Sequence, residues 1–267
     1  MKIGVLGSEK KLQKVKIEEI ISFVRECGYE TTYFSTPSEI DDVDVVIVLG
    51  GDGAILHSAV ICATKNIKII GVNYGNLGFL TEYEKDEWQR IKDLLQKLEN
   101  NECPILQRSI LQCEIGGKTF FALNEISLQR DCSSLNEKAT QILTVSVDTK
   151  SGGTTTAGDG ILICTPTGST AYSLSAGGAI LTPEVPVFML TPICAFSMRA
   201  RPIVFSDSEE FSIQIEKGKA VVLADGLTIA KLSANVPVKV KKAPFTADFP
   251  ICERSAFLDK VRSKIKL

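Results

Sequence analysis

The sequence predicts two domains, a Rossmann-like α/β domain followed by a mostly β domain. Up to Pro104, apolar runs of strand length alternate with amphipathic stretches at helical spacing, which is typical of a parallel sheet covered by helices. After Pro104, short strand-like segments follow one another and helical patterns nearly disappear. A chain of 267 residues is long enough for two modest hydrophobic cores.

The first domain is predicted to cover residues 1–101. Its segment 43–49 is a solid apolar run rich in β-branched residues, which is typical of a strand covered on both faces. Gly28 follows an amphipathic run and is expected to end the first helix. The predicted strands are 2–7, 29–34, 43–49 and 67–72, and the predicted helices are 11–27, 54–64 and 86–98.

The second domain is predicted to cover residues 102–240, and Gly116-Gly117 indicates a hairpin within it. Its predicted strands are 109–115, 118–124, 142–147, 160–164, 188–190, 203–205, 210–216, 220–224 and 236–240. The segment 241–267 is expected to pack back on the first domain. We interpret its charges as the solvated face of a docking helix. Those charges are Lys260, Arg262, Lys264 and Lys266.

Charge and hydropathy exclude several classes of protein. The net charge is -2, so no basic excess favours nucleic acid as a partner. No uninterrupted apolar stretch of about 20 residues is present to span a membrane. The amino terminus turns polar too early for a secretion signal, so we expect a cytoplasmic protein.

The eight cysteines form no C-x-x-C pair, and most of them lie inside apolar runs. Zinc ligands or disulfides are one interpretation of such a set. We favour small buried hydrophobic residues in a reducing compartment.

The segment Gly50-Gly51-Asp52-Gly53 links a predicted buried strand to a predicted helix. Glycines there allow a sharp turn and bring backbone N–H groups close to a phosphate, which the helix N-terminus also favours. Asp52 could accept a proton from an attacking hydroxyl or help to hold a divalent metal. The alternative is a plain glycine turn in which Asp52 caps the helix. We favour the functional interpretation because the strand before the turn is present.

Two better-known nucleotide motifs are absent. No Walker loop occurs, and residues 71–78 lack the G-x-G-x-x-G spacing of the dinucleotide fingerprint. We expect the glycines of 71–78 to shape a second loop at the same edge of the sheet. His57 is the only histidine and lies shortly after Asp52, although a lone histidine is more often structural.

Seven Ser, Thr and Tyr hydroxyls fall within the eleven residues 165–175. Helix caps and turns explain two or three of them, and we interpret the rest as a surface for recognising amide, ribose or phosphate groups. A helix is predicted to follow the turn. The pair Asn124-Glu125 is expected to end a strand, and by itself it is only weak evidence of a functional site.

Taken together, these segments closely resemble the NAD kinase family, which phosphorylates the 2′-hydroxyl of the adenosine ribose of NAD. The glycine turn is shared with diacylglycerol and sphingosine kinases and with phosphofructokinases, whereas Thr-Pro-Thr-Gly-Ser-Thr-Ala-Tyr at 165–172 is far more diagnostic. The matching motifs are Gly50-Gly51-Asp52-Gly53, Gly71-Val72-Asn73, Leu77-Gly78-Phe79-Leu80-Thr81, Asn124-Glu125, Gly158-Asp159-Gly160, 165–178, Arg201-Pro202 and Asp225-Gly226.

The resemblance implies a C-terminal β-sandwich, and a site between the two domains completed by contacts within a homodimer or homotetramer. It implies Asp52 as catalytic base, Gly53 and His57 along the phosphate path, and Asn124 and Glu125 at ribose and adenine. The other implied nucleotide-binding residues are Asp159, Thr170, Ala171, Tyr172, Ser173, Leu174, Ser175, Cys194 and Leu227. ATP or polyphosphate is the implied donor, with Mg²⁺ or Mn²⁺ as cofactor and no metal ligand assigned.

Three positions depart from the family pattern. Ala54 replaces the threonine that usually follows the glycine turn, and Ala157-Gly158 lacks a basic residue often found there. Leu227 replaces the glutamine of many relatives. We expect these departures to affect the choice of phosphoryl donor and the affinity for ligands rather than the reaction itself, because none of them alters Asp52.

Two other functions fit parts of the pattern. A lipid kinase would share the glycine turn, but the sequence shows no clear membrane-facing apolar or basic surface. A non-catalytic NAD(P)-binding module would use Asp52 only as a cap. A dehydrogenase fits less well, because the dinucleotide fingerprint is missing.

Overall fold

The computed structural model describes residues 1–8, 12–75, 78–133, 142–234, 236–251 and 257–265. The chain divides into two compact units. Unit 1 comprises Met1–Gln107 together with Thr246–Leu267, and unit 2 comprises Arg108–Phe245. Unit 2 is therefore inserted, in sequence, between the two parts of unit 1. Within the described ranges, every helix is too short or too polar to cross a bilayer.

Unit 1 contains a parallel sheet with the strand order β2-β1-β3-β4-β5. Its strands are β1 (Lys2–Gly7), β2 (Glu30–Phe34), β3 (Val45–Gly50), β4 (Lys68–Asn73) and β5 (Tyr83–Glu84), and its first helices are α1 (Lys14–Glu26), α2 (Asp52–Thr64) and α3 (Trp88–Glu99). Val45, Ile47 and Val48 are fully buried, as expected for a strand covered on both faces. Gly28, with φ of 93°, follows α1 as predicted.

Unit 2 is a sandwich of two antiparallel sheets, with the orders β10-β9-β14-β17-β6-β7 and β13-β12-β11-β8-β15-β16. Its elements are β6 (Ile105–Ile115), β7 (Lys118–Ala122), β8 (Glu125–Arg130), β9 (Leu143–Thr149), β10 (Gly152–Gly158), β11 (Gly160–Cys164), α4 (Tyr172–Ser175), β12 (Val187–Ile193), β13 (Ile203–Ser206), β14 (Phe211–Lys217), β15 (Ala220–Ala224), β16 (Leu227–Leu232) and β17 (Val238–Pro250). Buried side chains of both sheets, Phe188 and Phe211 among them, form one hydrophobic cluster. The mostly β sandwich is confirmed.

Several local predictions for unit 2 were wrong. Asn124-Glu125 does not end a strand, because β7 stops at Ala122 and Glu125 begins β8. Strands β10 and β16 lie at sheet edges and carry few buried side chains, so no apolar alternation marks them. The hydroxyl-rich segment forms a short 3₁₀ helix, Thr167–Thr170, and then only the four-residue α4.

The carboxy-terminal segment also differs from expectation. Strand β17 continues to Pro250, and α5 (Phe257–Ile265) follows after residues that are not described. Arg262 is solvated as predicted, with 71% of its side chain exposed. The same prediction is wrong for Lys260 and Lys264, whose side chains are only 17% exposed and face unit 1 residues. Lys266 lies outside the described residues.

The prediction of buried cysteines holds for only part of the set. Cys62, Cys113 and Cys164 are buried, and burial raises the pKa of each thiol. Cys132 and Cys194 are exposed. The described cysteines are all free thiols, and Cys252 lies outside the described residues.

Candidate active site

The glycine turn of unit 1 carries β3 directly into α2. Gly51 is the residue that caps the helix, and Asp52 is its first helical residue. The capping alternative for Asp52 is therefore wrong. Its carboxylate points instead to the second loop, where Oδ2 accepts the N–H of Phe79 at 2.7 Å and Oδ1 accepts that of Leu80 at 2.9 Å.

Close packing explains the glycines of that second loop. A Cβ added at Gly78 would lie 2.1 Å from Oδ1 of Asp52, and one added at Gly71 would lie 2.4 Å from Cδ1 of Ile55. Only glycine lets this backbone approach the carboxylate and α2 so closely. Leu77, which belongs to the same motif, lies outside the described residues.

A pocket of about 440 Å³ opens beside the turn, within unit 1. It lies at the carboxyl ends of β1 and β3, where the strand order reverses direction and where open α/β sheets bind ligands. Its lining residues are Leu6, Gly7, Ser8, Leu12, Ser35, Pro37, Leu49, Gly50, Gly51, Gly53, Ala54, His57, Tyr74 and Gly75. His57 is exposed, and Ala54 offers no hydroxyl.

At two positions of the turn, neither protein packing nor backbone conformation requires glycine. A Cβ added at Gly51 or Gly53 would meet no atom within 4 Å, and neither residue has positive φ. The space in front of them is therefore free for a ligand. The first N–H groups of α2 have no acceptor within the helix and carry its positive dipole end, which suits an anion.

In unit 2, several of the predicted site residues lie near Tyr172, on the outer face of the sheet that contains β8 and β11. Segment 165–181 covers part of this face, where Tyr172 and Leu181 pack on Leu162, Cys164 and Met189. Strand alternation places Glu125 on the same face, since Ile126 belongs to the sandwich core. The pKa of Tyr172 is raised by burial first, and then by Cys194, Asp159 and Glu125, which lie near it.

Glu125 has the least favourable environment of these residues. It is 7% exposed, and its Oε2 is buried without a hydrogen-bond partner among the described residues. Burial, followed by repulsion from Asp225, raises the pKa of its carboxyl from 4.5 to about 7. An unpaired buried polar atom is costly, so Oε2 is a point at which a ligand could supply the missing hydrogen bond.

The turn before β8 is held from two sides. Oδ1 of Asp225 accepts the N–H groups of Asn124 and Glu125 at 2.8 and 3.0 Å, and Oδ2 accepts that of Leu123 at 2.7 Å. Thr165 donates its N–H to the carbonyl of Asn124 and its hydroxyl to that of Leu123, at 2.9 and 2.6 Å. Asp225 and Thr165 thus fix the backbone from which Asn124 and Glu125 project.

The hydroxyl-rich segment is more structural than its composition indicated. Thr165, Thr167, Ser169 and Ser173 are buried, and each hydroxyl bonds within unit 2. Thr170 donates to the carbonyl of Thr167. Five of the seven hydroxyls therefore serve the fold in the first place, rather than two or three. Tyr172 is half-buried and Ser175 is exposed, so these two remain open to recognition.

The other predicted site residues of unit 2 differ in exposure. Asp159 pairs with Arg130 at 3.0 Å and keeps 45% of its side chain exposed. Cys194 is exposed and has φ of 44°. Leu227 begins β16 and is 59% exposed. Ala171 and Leu174 are half-buried.

Two further residues near the predicted site were assigned no role from the sequence. In the sequence, Asp225 could be recognised only as part of the motif Asp225-Gly226. Its bonds to residues 123–125 could not be predicted, because they depend on tertiary structure. Lys264, whose Nζ lies 3.4 Å from Oδ2 of Asp52, was treated as surface charge. The helical spacing of Phe257, Val261 and Lys264 was the signal that could have placed it on the packed face.

Comparisons with known proteins agree with these features. A family model described as the ATP-NAD kinase N-terminal domain matches residues 3–103, and one described as the ATP-NAD kinase C-terminal domain matches residues 123–250. The NAD kinase of Fusobacterium nucleatum is 32% identical over 100% of this chain and 97% of its own length.

Two solved structures resemble the chain. A crystal structure of an NAD kinase from Archaeoglobus fulgidus in complex with ATP has a TM-score of 0.78 at 25% identity, over 98% of this chain and 99% of its own. Yeast NADH kinase complexed with NADH has a TM-score of 0.84 over 100% and 88%, and at 22% identity it supports the fold alone. The matched domains and the full-length identity place this chain in the NAD kinase family.

Proposed function

We propose that this protein is an NAD kinase, which transfers a phosphoryl group from ATP to the 2′-hydroxyl of the adenosine ribose of NAD and releases NADP. The observation that carries this proposal is the Asp52 carboxylate. Two backbone N–H groups fix it beside the glycine turn, and 34% of its side chain is still exposed. A carboxylate beside a phosphate-binding turn suits proton removal from an attacking hydroxyl.

In the proposed reaction, the ribose 2′-oxygen attacks the γ-phosphorus of ATP while Asp52 takes the hydroxyl proton. The bond between the γ-phosphorus and the β–γ bridging oxygen breaks, and ADP leaves. Gly51, Gly53 and the N-terminus of α2 bind the phosphates, with His57 along their path. The 440 Å³ pocket that these residues line is proposed to take the donor.

The dinucleotide is proposed to bind unit 2. Asn124 and Glu125 would hold its ribose and adenine, because their backbone is fixed and Oε2 of Glu125 needs a partner. Further proposed contacts are Asp159, Ala171, Tyr172, Leu174, Ser175, Cys194 and Leu227. Ser173 and Thr170 are proposed only as support for this surface, because their hydroxyls already bond to Thr191 and Thr167. The ATP complex of the Archaeoglobus fulgidus NAD kinase supports a nucleotide triphosphate as donor, and the full-length identity to NAD kinases supports NAD as acceptor.

A divalent cation, Mg²⁺ or Mn²⁺, is proposed as cofactor. The described residues contain no group of three or more potential metal ligands. Mg²⁺ does not need such a group, since it commonly binds one or two carboxylates together with substrate phosphates. No carboxylate is among the described residues that line the donor pocket, so such an ion would be held mainly by the phosphates of the donor. It would neutralise charge on the triphosphate.

The remaining proposals concern the setting of the reaction. Polyphosphate is proposed as an alternative donor to ATP. Cytoplasmic location is proposed from the hydropathy of the sequence. Assembly as a homodimer or homotetramer is proposed from the family resemblance, and light scattering after size exclusion would test it.

The deciding experiment compares the wild-type chain with Asp52→Asn. Wild type should convert NAD to NADP in the presence of ATP and Mg²⁺. Asp52→Asn should still bind NAD but should turn over about a hundredfold more slowly or worse. NADP formation is followed with an NADP-specific dehydrogenase, and NAD affinity by calorimetry. Unchanged turnover in Asp52→Asn would remove Asp52 from the role of base.

A further inference from the structure

Helix α5 presents one face to the rest of unit 1. Phe257 contacts the ring of Phe79 at a centroid distance of 6.4 Å, and Val261 is buried. Lys260 and Lys264 lie on the same face, since residues three, four and seven apart are neighbours on a helix. Both lysines are only 17% exposed, although isolated lysines normally extend into water.

Lys264 reaches the proposed catalytic carboxylate. Its Nζ lies 3.4 Å from Oδ2 of Asp52 and 4.1 Å from the ring centroid of Phe79. The ammonium thus has an anion on one side and an aromatic face on the other, and both attract a cation. Phe79 in turn donates its backbone N–H to the same Oδ2.

Lys260 holds the loop that supplies those amides. Its Nζ donates to the carbonyl of Thr81 at 3.0 Å and pairs with Glu82 at 3.0 Å. The loop that fixes Asp52 is therefore tied to α5 through Lys260 and Phe257, as well as through Lys264.

The contacts leave little freedom to the carboxylate. A carboxylate offers about four acceptor positions, and the described donors Phe79, Leu80 and Lys264 use three of them. About one position remains, on Oδ1, where a ribose hydroxyl could donate. With the lysine removed, Oδ2 would regain a free position, and only the N–H groups of Phe79 and Leu80 would orient the carboxylate.

We propose that α5 belongs to the phosphoryl-transfer site, and that Lys264 is a positioning residue that holds Asp52 in the orientation that receives the ribose proton. This inference rests on the proposed NAD kinase function. Misplacement of a catalytic group by about 1 Å can cost on the order of a hundredfold in rate without a matching change in substrate affinity.

The test uses the full chain with Lys264→Met, Lys264→Gln and Lys264→Arg. Arg262→Met is the matched control, because it removes the same charge from the exposed face of the same helix. Lys264→Met and Lys264→Gln should lower kcat about tenfold or more while the KM for NAD and for ATP changes less than about twofold. Lys264→Arg should recover part of the rate, and Arg262→Met should match wild type.

A double-mutant cycle with Asp52→Asn separates positioning from other roles. If Lys264 acts through Asp52, adding Lys264→Met to Asp52→Asn should cost little further activity. Additive losses, or a loss confined to the KM for ATP, would overturn the inference. So would Lys264 variants that match wild type. A wild-type chain that makes no NADP from NAD would instead overturn the proposed function, and the inference with it.

Discussion

Asp225 and Glu125 donate hydrogen bonds to each other across 100 positions of sequence. Glu125 donates its N–H to Oδ1 of Asp225 at 3.0 Å, and Asp225 donates its own N–H to the carbonyl of Glu125 at 3.0 Å. The same neighbour also contributes to the raised pKa of the Glu125 carboxyl. Asp225 therefore fixes the backbone of the proposed adenosine-binding residues and, after burial, contributes to the raised pKa of Glu125.

Asp225→Asn should weaken both stability and NAD binding. The new amide would turn a donor toward the N–H of Leu123, which would lose its acceptor at a cost of roughly 1–3 kcal/mol in the free energy of unfolding. The KM for NAD should rise, because the turn that carries Asn124 and Glu125 would lose one of the bonds that fix its backbone. Urea unfolding and steady-state kinetics measure the two effects. Asp148→Asn, an exposed carboxylate of the same unit, is the control. An unchanged KM would show that the turn does not need Asp225.

Glu125 should make stability depend on pH near neutrality. Its pKa is raised from 4.5 to about 7, so the folded state favours the protonated carboxyl. The free energy of unfolding should therefore fall as pH rises from about 4.5 to about 7, by on the order of 3 kcal/mol. Glu125→Gln should abolish this part of the decline, whereas Glu184→Gln, at an exposed site, should retain it. Parallel pH profiles for Glu125→Gln and wild type would contradict the prediction.

Gly53→Ala should separate stability from activity. An added Cβ meets no protein atom within 4 Å, and alanine favours a helix over glycine, so the free energy of unfolding should rise by about 0.5–1 kcal/mol. The same methyl group should obstruct the donor phosphates and raise the KM for ATP. Thr64→Ala, at the other end of α2, is the control for a helix-favouring substitution away from the turn, and it also removes the hydroxyl bond to the carbonyl of Ile61. An unchanged KM for ATP in Gly53→Ala would show that the turn does not bind the phosphates of the donor.

Removal of divalent cations should stop phosphoryl transfer. With EDTA present, NADP formation should fall to background, because the triphosphate charge is no longer neutralised. NAD binding, measured by calorimetry, should remain, since the proposed dinucleotide contacts involve no metal. Added Mg²⁺ or Mn²⁺ in excess of the chelator should restore turnover. Full activity in EDTA would exclude the proposed cofactor.

Most of the fold could be predicted from hydrophobic periodicity. The strand containing Val45 and Ile47 was recognisable because parallel strands buried on both faces are continuously apolar. The edge strands β10 and β16 were missed for the converse reason, because they carry few buried side chains. The boundary at Asn124-Glu125 was misplaced, because the bonds that start β8 come from Asp225 and Thr165, far away in sequence.

Candidate residues of the proposed site could be named from the sequence, but most of the contacts that these residues make could not be predicted. The turn around Asp52 could be recognised because it follows a strand directly. Periodicity could not reveal that Lys264 turns inward, since a lysine on a helix normally lies in solvent. Nor could composition separate hydroxyls that bind ligands from those, such as Ser173, that bond within the core.

The insertion of unit 2 between the two parts of unit 1 bears on how the protein is made. The ribosome synthesises Asp52 first, then all of unit 2, and then α5, whose Lys264 lies 212 positions after the aspartate that it contacts. The parallel sheet can emerge and begin to fold while α5 has not yet been translated. A nascent chain therefore carries the proposed catalytic carboxylate without its lysine contact until synthesis has passed Lys264.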